Sequence, residues 1–393
     1  MKKELMEQSK IAVDQAIQWL LYSGIQKDHM DEMVGAVASW YDPSFGRYSY
    51  LYPEITGYAA TTLIWLARIG KQGLNCIQKA KSAADWLIER AFQPDLGIYP
   101  YKYDLDSKKF VLVAHTFDQG IIQNGLLSVY RETNEDVYLD YAVMSGNKLA
   151  LELLRADGSL EVCRYYEEGQ QSDAELSKWS RQSGPFLVKC VMGLLHLKLI
   201  DSDSKWEQVT RRICDWALTF QQGEGHFVIN PRRGCTHTHP LCYTGEGLLV
   251  AGLVLKEQKY LKAAGEITKW LLRHQQPSGG IPRIFKDGHF AVIPERVDVL
   301  AQTIRLGILG LHFGFLDSIE FLVPIESAVT YLLSFQCQVK DIRQFGGFTF
   351  GFHADGLKSV HVNSWCTMFA IQALWLYRQY KLKRVEFDPF LLV

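Results

Sequence analysis

The stretch "CYTGEGLLVAGLVLKEQKYLKAAGEITKWLLRHQ", residues 242–275, holds two helical patterns of opposite character joined by a short polar link. Through Leu255 it is apolar nearly all round, and a helix without a wide polar face is buried on most sides. From Gln258 onward, Tyr260, Ala264, Ile267 and Leu271 fall on one stripe, while Lys262, Glu266, Lys269 and Arg273 fall on another. That spacing belongs to a helix wet on one side. An inner helix is therefore followed directly by an outer one.

The same alternation runs through the chain six times. Outer patterns, often ending in Trp-Leu or Tyr-Leu, are "AVDQAIQWLLYS", "AKSAADWLIERA", "MSGNKLALELLR", "VTRRICDWALTFQ", "AGEITKWLLRHQ" and "IESAVTYLLSFQ". Inner patterns are "ITGYAATTLIWLARI", "HTFDQGIIQNGLLSVY", "GPFLVKCVMGLLHLKLI", "CYTGEGLLVAGLVL", "VLAQTIRLGILGLHFG" and "SWCTMFAIQALWLY". Inner-to-outer links are short, as in "LKEQKY". Outer-to-inner links are long and carry a glycine followed by aromatic or aliphatic residues: "FGRYSY", "LGIYPY", "DGSLEV", "EGHFVI", "GGIPRI" and "GGFTFG". Each of these predicts a short strand after a glycine turn.

Repeats at a fixed interval mean either an open solenoid or a closed ring. An open stack ends in polar capping repeats. Here the last inner pattern, with Trp365 and Trp375, is as apolar as the others. The expectation is an all-α fold, an (α/α)6 toroid forming one domain over residues 1–393, with the six long loops on one face. Long loops of this kind usually carry function.

Composition narrows the partners. Lys and Arg total 42 against 43 Asp and Glu, a net charge of −1, which gives no electrostatic case for nucleic acid or an anionic membrane. Glu4, Glu7, Asp14 and Gln15 interrupt the first segment, so it reads as an amphipathic helix and neither a signal peptide nor a membrane span. Eight cysteines are scattered without a C-x-x-C pair, which suits reduced thiols and a cytoplasmic location. No sequence feature bears on the oligomeric state.

In a closed ring, the residues at the starts of the inner helices converge. The first repeat supplies Tyr52, Glu54 and Tyr58, the second His115 and Asp118, and the third Lys178, Arg181 and Gln182. The fourth supplies His237, His239, Tyr243 and Glu246, the fifth Glu295, Arg296, Asp298 and Gln302, and the sixth His361, Asn363 and Trp365. Asp298 and Asn363 could equally be N-caps, and Glu54, after Pro53, an exposed first-turn acid. His196 and His312, deep in inner patterns, are expected to be core histidines outside the site. The H-x-H of "CTHTHP" could hold a metal with His115, Asp298 or His361, but no H-x-x-x-H or C-x-x-C spacing supports one. No metal and no cofactor are expected. Instead one histidine of the pair faces the cavity as acid or base while its neighbour orients it.

The segments "QQPSGGIPRIF", "QQGEGHFVI" and "FGGFTFGF" after outer helices resemble those of terpenoid-cyclase and prenyltransferase toroids. "LYPEITGY" (51–58) and "HVNSWCTMFAIQAL" (361–374) resemble toroid proteins of bacterial polysaccharide biosynthesis. The layout is also similar to sugar-modifying α/α-barrel epimerases, lyases and unsaturated-uronide hydrolases. Against cyclisation, "DLDS" at 104–107 departs from the aspartate-rich motif, and "DVL" at 298–300 lacks the cysteine of a prenyltransferase zinc pair. The resemblance implies an enzyme of glycan metabolism acting on a sugar or polysaccharide.

Within that class two chemistries compete. Proton transfer, as in an epimerase or lyase acting on a uronate, needs a base and a cation to hold the developing charge. His239 or His237 would be the base, Tyr243 the donor, Arg181 and Arg296 the cations, with Glu54 fixing a hydroxyl and His115 in reserve. Glycoside hydrolysis needs a carboxyl pair, drawn from Glu54, Asp118, Glu246 and Asp298. Tyr52, Tyr58, His361, Asn363 and Trp365 complete the expected sugar contacts. A toroid that binds glycans without chemistry is the third possibility.

Overall fold

The computed structural model describes residues 2–167, 178–201 and 203–393. Twelve α-helices run in six pairs among them. The outer members are α1 (Lys2–Tyr22), α3 (Gly73–Trp86), α5 (Asp136–Lys148), α7 (Lys205–Leu218), α9 (Gln258–Arg273) and α11 (Ser318–Leu333). The inner members are α2 (Pro53–Arg68), α4 (Thr116–Thr133), α6 (Val191–Ile200), α8 (Thr238–Leu255), α10 (Val297–Phe313) and α12 (Ser364–Lys381). The inner helices contact one another in sequence, and α12 returns to α2, so the ring is closed. The fold is an α/α toroid.

Burial follows the patterning. Every residue of α8 from Thr238 to Gly252 is buried, whereas α9 buries Tyr260, Ala264, Ile267 and Leu271 and leaves its charged stripe outward. The inner helices approach closely where side chains are absent: a Cβ on Gly125 of α4 would lie 2.6 Å from the carbonyl oxygen of Gly57 in α2. The loop glycines tie each repeat to the next outer helix. Gly279, after α9, abuts the backbone of Ser327 in α11, and Gly346, after α11, abuts Gln15 of α1 at 2.4 Å from a built Cβ. With φ of +88° at Gly346, no other residue closes that turn without strain.

Three sequence expectations are corrected. Of the six glycine-led segments, only those around Arg47–Tyr48, Ile284–Lys286 and Phe348–Thr349 form strands; the others make single bridges, Gln93 to Ile98, Leu154 to Leu160 and Gln221 to Phe227, back onto the end of the preceding outer helix. The third inner pattern is not one α-helix, because its start, Pro185–Cys190, is wound as a 3₁₀-helix. His312 is exposed in the last turn of α10 and not packed in the core, while His196 is fully buried, stacked on Phe390 and bonded to Asn124.

The long loops are stitched to each other on one face. Trp40–Asp42 pairs antiparallel with Val362–Asn363, joining the first loop to the sixth, and Val113–His115 pairs with Cys163–Tyr165. Cys235–His237 pairs with Ile284–Lys286. Those pairings fix the backbone just before α4, α8 and α12. No helix among the described residues is long and apolar enough to cross a membrane.

Candidate active site

A cavity of about 550 Å³ opens at the N-terminal ends of the inner helices, where the stitched loops meet. Its walls come from all six repeats. Tyr52, His115, Gly184, His237, Arg296 and Asn363 occupy equivalent positions, each the extended residue that enters an inner segment. Two residues further on stand Glu54, Phe117, Phe186, His239, Asp298 and Trp365. All of these but Asp298 line the cavity, because that position lies in the first turn and faces the ring's axis.

Glu54 and Asp118 enter from α2 and α4. Burial pushes the Glu54 carboxyl up to about 7, partly offset by the Tyr52 hydroxyl. Burial, reinforced by the neighbouring Glu54 charge, pushes Asp118 well above the usual carboxylate range. The two acids therefore retain a proton at neutral pH.

His239 enters from α8, on the opposite arc of the ring. Its Nδ1 lies 2.8 Å from Gln302 Oε1, and Gln302 Nε2 donates to Glu246 Oε2 at 3.3 Å. Glu246 also accepts from Lys189 Nζ at 2.8 Å and from Arg305. A carboxylate holding three donors can only present oxygen to Gln302, so the amide must turn its oxygen to His239. Nδ1 then carries the proton and Nε2 holds the lone pair. Nε2 has no hydrogen-bond partner among the described residues. Burial, with Arg296 adding to it and Asp298 opposing, lowers His239 to about 4, so the ring is neutral above that pH.

Around these groups, Arg296 forms a two-point pair with Asp298, with its Nε 3.0 Å from Oδ1. Burial alone would raise Asp298, but Arg296 and His239 hold it at about 2. Asp298 also accepts from Trp365 Nε1 at 3.0 Å. Arg181 Nη1 donates to His115 Nε2 at 2.7 Å, and burial together with that guanidinium lowers His115 to about 3. The basic nitrogen of His115 is thus already occupied. Tyr243 lies 4.5 Å from His239 between ring centroids, and burial holds its phenol well above the usual value, leaving it a donor.

The structure brings Tyr52, Glu54, His115, Asp118, Lys178, Arg181, His239, Tyr243, Arg296 and Trp365 to the cavity wall. It places the other sequence-selected residues elsewhere. His237 is held in the strand pair opposite Ile284, off the wall. Glu246 and Tyr58 lie a turn deeper, Glu246 fully enclosed in its ion pairs and Tyr58 packed edge-on to Phe369. Asp298 stands behind Arg296. Asn363 caps α12, accepting from Cys366 N at 3.0 Å. His361 stacks on Trp40 in a neighbouring cleft. Sequence reasoning missed Trp179, whose ring meets Phe186 edge-on at 5.0 Å and lies 6.1 Å from His239. A tryptophan between Lys178 and Arg181 in a polar stretch was its only signal. Among the described residues, no three His, Cys, Asp or Glu side chains are gathered as metal ligands.

Fold and cavity together define an α/α toroid with an ionisable pocket on its long-loop face. No family model matches the chain, and no curated protein matches it by sequence. Solved structures match along nearly its whole length. A cellobiose 2-epimerase from Bacillus thermoamylovorans has a TM-score of 0.76 at 12% identity, covering 95% of this chain and 100% of that one. An unsaturated glucuronyl hydrolase specific for heparin has 0.71 at 12%, covering 96% and 98%. A type II terpene cyclase from Scytonema has 0.63 at 14%, covering 97% and 100%. At these identities the likeness establishes the fold, and function must be argued from the site.

Proposed function

We propose that the chain is a sugar-processing enzyme that transfers a proton at a carbon beside a carbonyl or carboxylate, as an epimerase or lyase acting on a uronate-containing glycan. The observation that carries this is the pairing of a neutral His239, with its Nε2 lone pair free, and a proton-holding Glu54–Asp118 pair on the other arc of the cavity. A weakly acidic sugar C–H needs a base on one side and a proton donor on the other. His239 Nε2 takes the proton, the carboxyl pair or Tyr243 returns one, and Arg296 and Arg181 hold the negative charge that develops between the two steps. Among proteins of this fold, a cellobiose 2-epimerase, a polysaccharide lyase and an unsaturated glucuronyl hydrolase agree with a sugar substrate. The eight free cysteines suit a reducing compartment, so we place the activity in the cytoplasm, within bacterial polysaccharide metabolism.

The Glu54–Asp118 pair also favours a second reading, hydrolysis, because one acid is ready to donate. Incubation of uronate-containing oligosaccharides in deuterated water separates the two. An epimerase places deuterium on a sugar carbon, and a lyase yields an unsaturated product absorbing in the ultraviolet. Release of a reducing end with neither signal assigns the chemistry to the carboxyl pair instead.

The pH profile follows from the same groups. His239 must be unprotonated, so kcat/KM should rise as pH passes upward through about 4. Glu54 must keep its proton, so kcat/KM should fall as pH climbs through about 7. A profile still rising at pH 9 would remove the carboxyl pair as proton donor.

A further inference from the structure

A second cleft, of about 540 Å³, lies on the same face between the first, second and sixth loops. Only one layer of tyrosine rings divides it from the cavity. Tyr50 lines the cleft, Tyr52 and Tyr101 line the cavity, and the Tyr50 centroid is 5.8 Å from Tyr52 and 6.1 Å from Tyr101. Its walls combine aromatic rings (Trp40, Phe45, Tyr50) with the carboxylates of Asp42, Asp104 and Asp106.

The two spaces differ in charge. The cavity presents Lys178, Arg181 and Arg296, with its two free-standing acids sharing a proton. In the cleft, three aspartates stand with Lys27 and Arg47, a formal balance of −1 among the lining residues, while Lys102, over the Tyr50 ring, lies 3.6 Å from Asp104 and His361 Nε2 lies 3.2 Å from Asp42. Arg47 stands 3.7 Å from Asp106 and Lys27 is 3.4 Å from Asp31, so both cations already have anionic neighbours. Such a cleft disfavours a second carboxylate. It suits a neutral pyranose, whose hydroxyls donate to aspartate oxygens while its C–H face covers an aromatic ring.

We propose that this cleft is an outer subsite for a neutral sugar unit, so that the substrate is an oligosaccharide in which an acidic sugar is joined to a neutral one. The proposal rests on the reading of the inner cavity as the site of an acidic sugar, and its test is independent of turnover. Saturation-transfer NMR would be run with three neutral probes, cellotriose, xylotriose and mannotriose, on wild type, His239→Ala and Phe45→Ala/Asp106→Ala. Phe45 is 74% exposed and the Asp106 side chain 85%, so the double variant keeps its core. At least one probe should give a signal with wild type and with His239→Ala that drops several-fold in Phe45→Ala/Asp106→Ala. No signal with wild type, or a signal that survives the double variant, overturns the subsite. If the proton-transfer chemistry is wrong, the deuterium and ultraviolet assays fail while the cleft-dependent signal remains.

Discussion

His239→Ala is expected to lower kcat by about 10²–10⁴, the usual contribution of a general base, with the melting temperature close to that of wild type. The fold should survive because the ring lines a cavity and its one close hydrogen bond is to Gln302. Gln302→Leu is the informative companion. It keeps the imidazole but removes the acceptor that fixes its tautomer, leaving Asp298 Oδ2 3.6 Å from Nδ1 as the nearest alternative. The Gln302 bond raises the His239 pKa, so its loss should move the acidic limb of the pH profile downward while kcat falls less than in His239→Ala. A protein merely loosened by the substitution would lose activity without moving that limb. If His239→Ala keeps most of its activity and Glu54→Gln abolishes it, the base is not His239.

Helix placement was legible in the sequence because each pair of helices differs in how much of its circumference is apolar, and that contrast survives without any knowledge of partners. The mouth was legible for the same reason, since the residues that start each inner segment must converge in a closed ring. Which of two neighbours faces inward was not. His237 and His239 are indistinguishable in "CTHTH", and only the pairing of Cys235–His237 with Ile284–Lys286 holds the first off the wall. Glu246 resembled a site residue because a carboxylate in an apolar helix calls for a special environment. Its partners, Lys189 and Arg305, come from neighbouring inner segments 57 and 59 residues away, a separation at which no local pattern registers. Trp179 was invisible because it sits on a 3₁₀ turn with no periodicity to place it.

The same triad gives the largest expected effect on stability. Glu246, Lys189 and Arg305 all have fully buried side chains. Glu246→Ala removes the one anion and leaves two enclosed cations, and breaking a buried pair in this way typically costs about 3–5 kcal/mol. Against a total stability of about 5–15 kcal/mol, that is a large share. Urea unfolding should show the loss as a lower midpoint at unchanged slope. The pH dependence identifies the cause. Burial lowers Lys189 to about 8 even though Glu246 raises it. Without Glu246 its folded pKa falls further, while the unfolded value stays near about 10.4. A lysine depressed by folding binds more protons when unfolded, so it penalises folding at low pH, and stability recovers as pH rises from the folded pKa toward the unfolded one. In Glu246→Ala that recovery begins at a lower pH than in wild type. The deficit should therefore shrink between neutral pH and about 8, then level off at the part owed to the enclosed Arg305 guanidinium. A deficit below about 1 kcal/mol, the scale of an exposed ion pair, or one unchanged from pH 6 to 9, would mean that the three charges do not act as a buried unit.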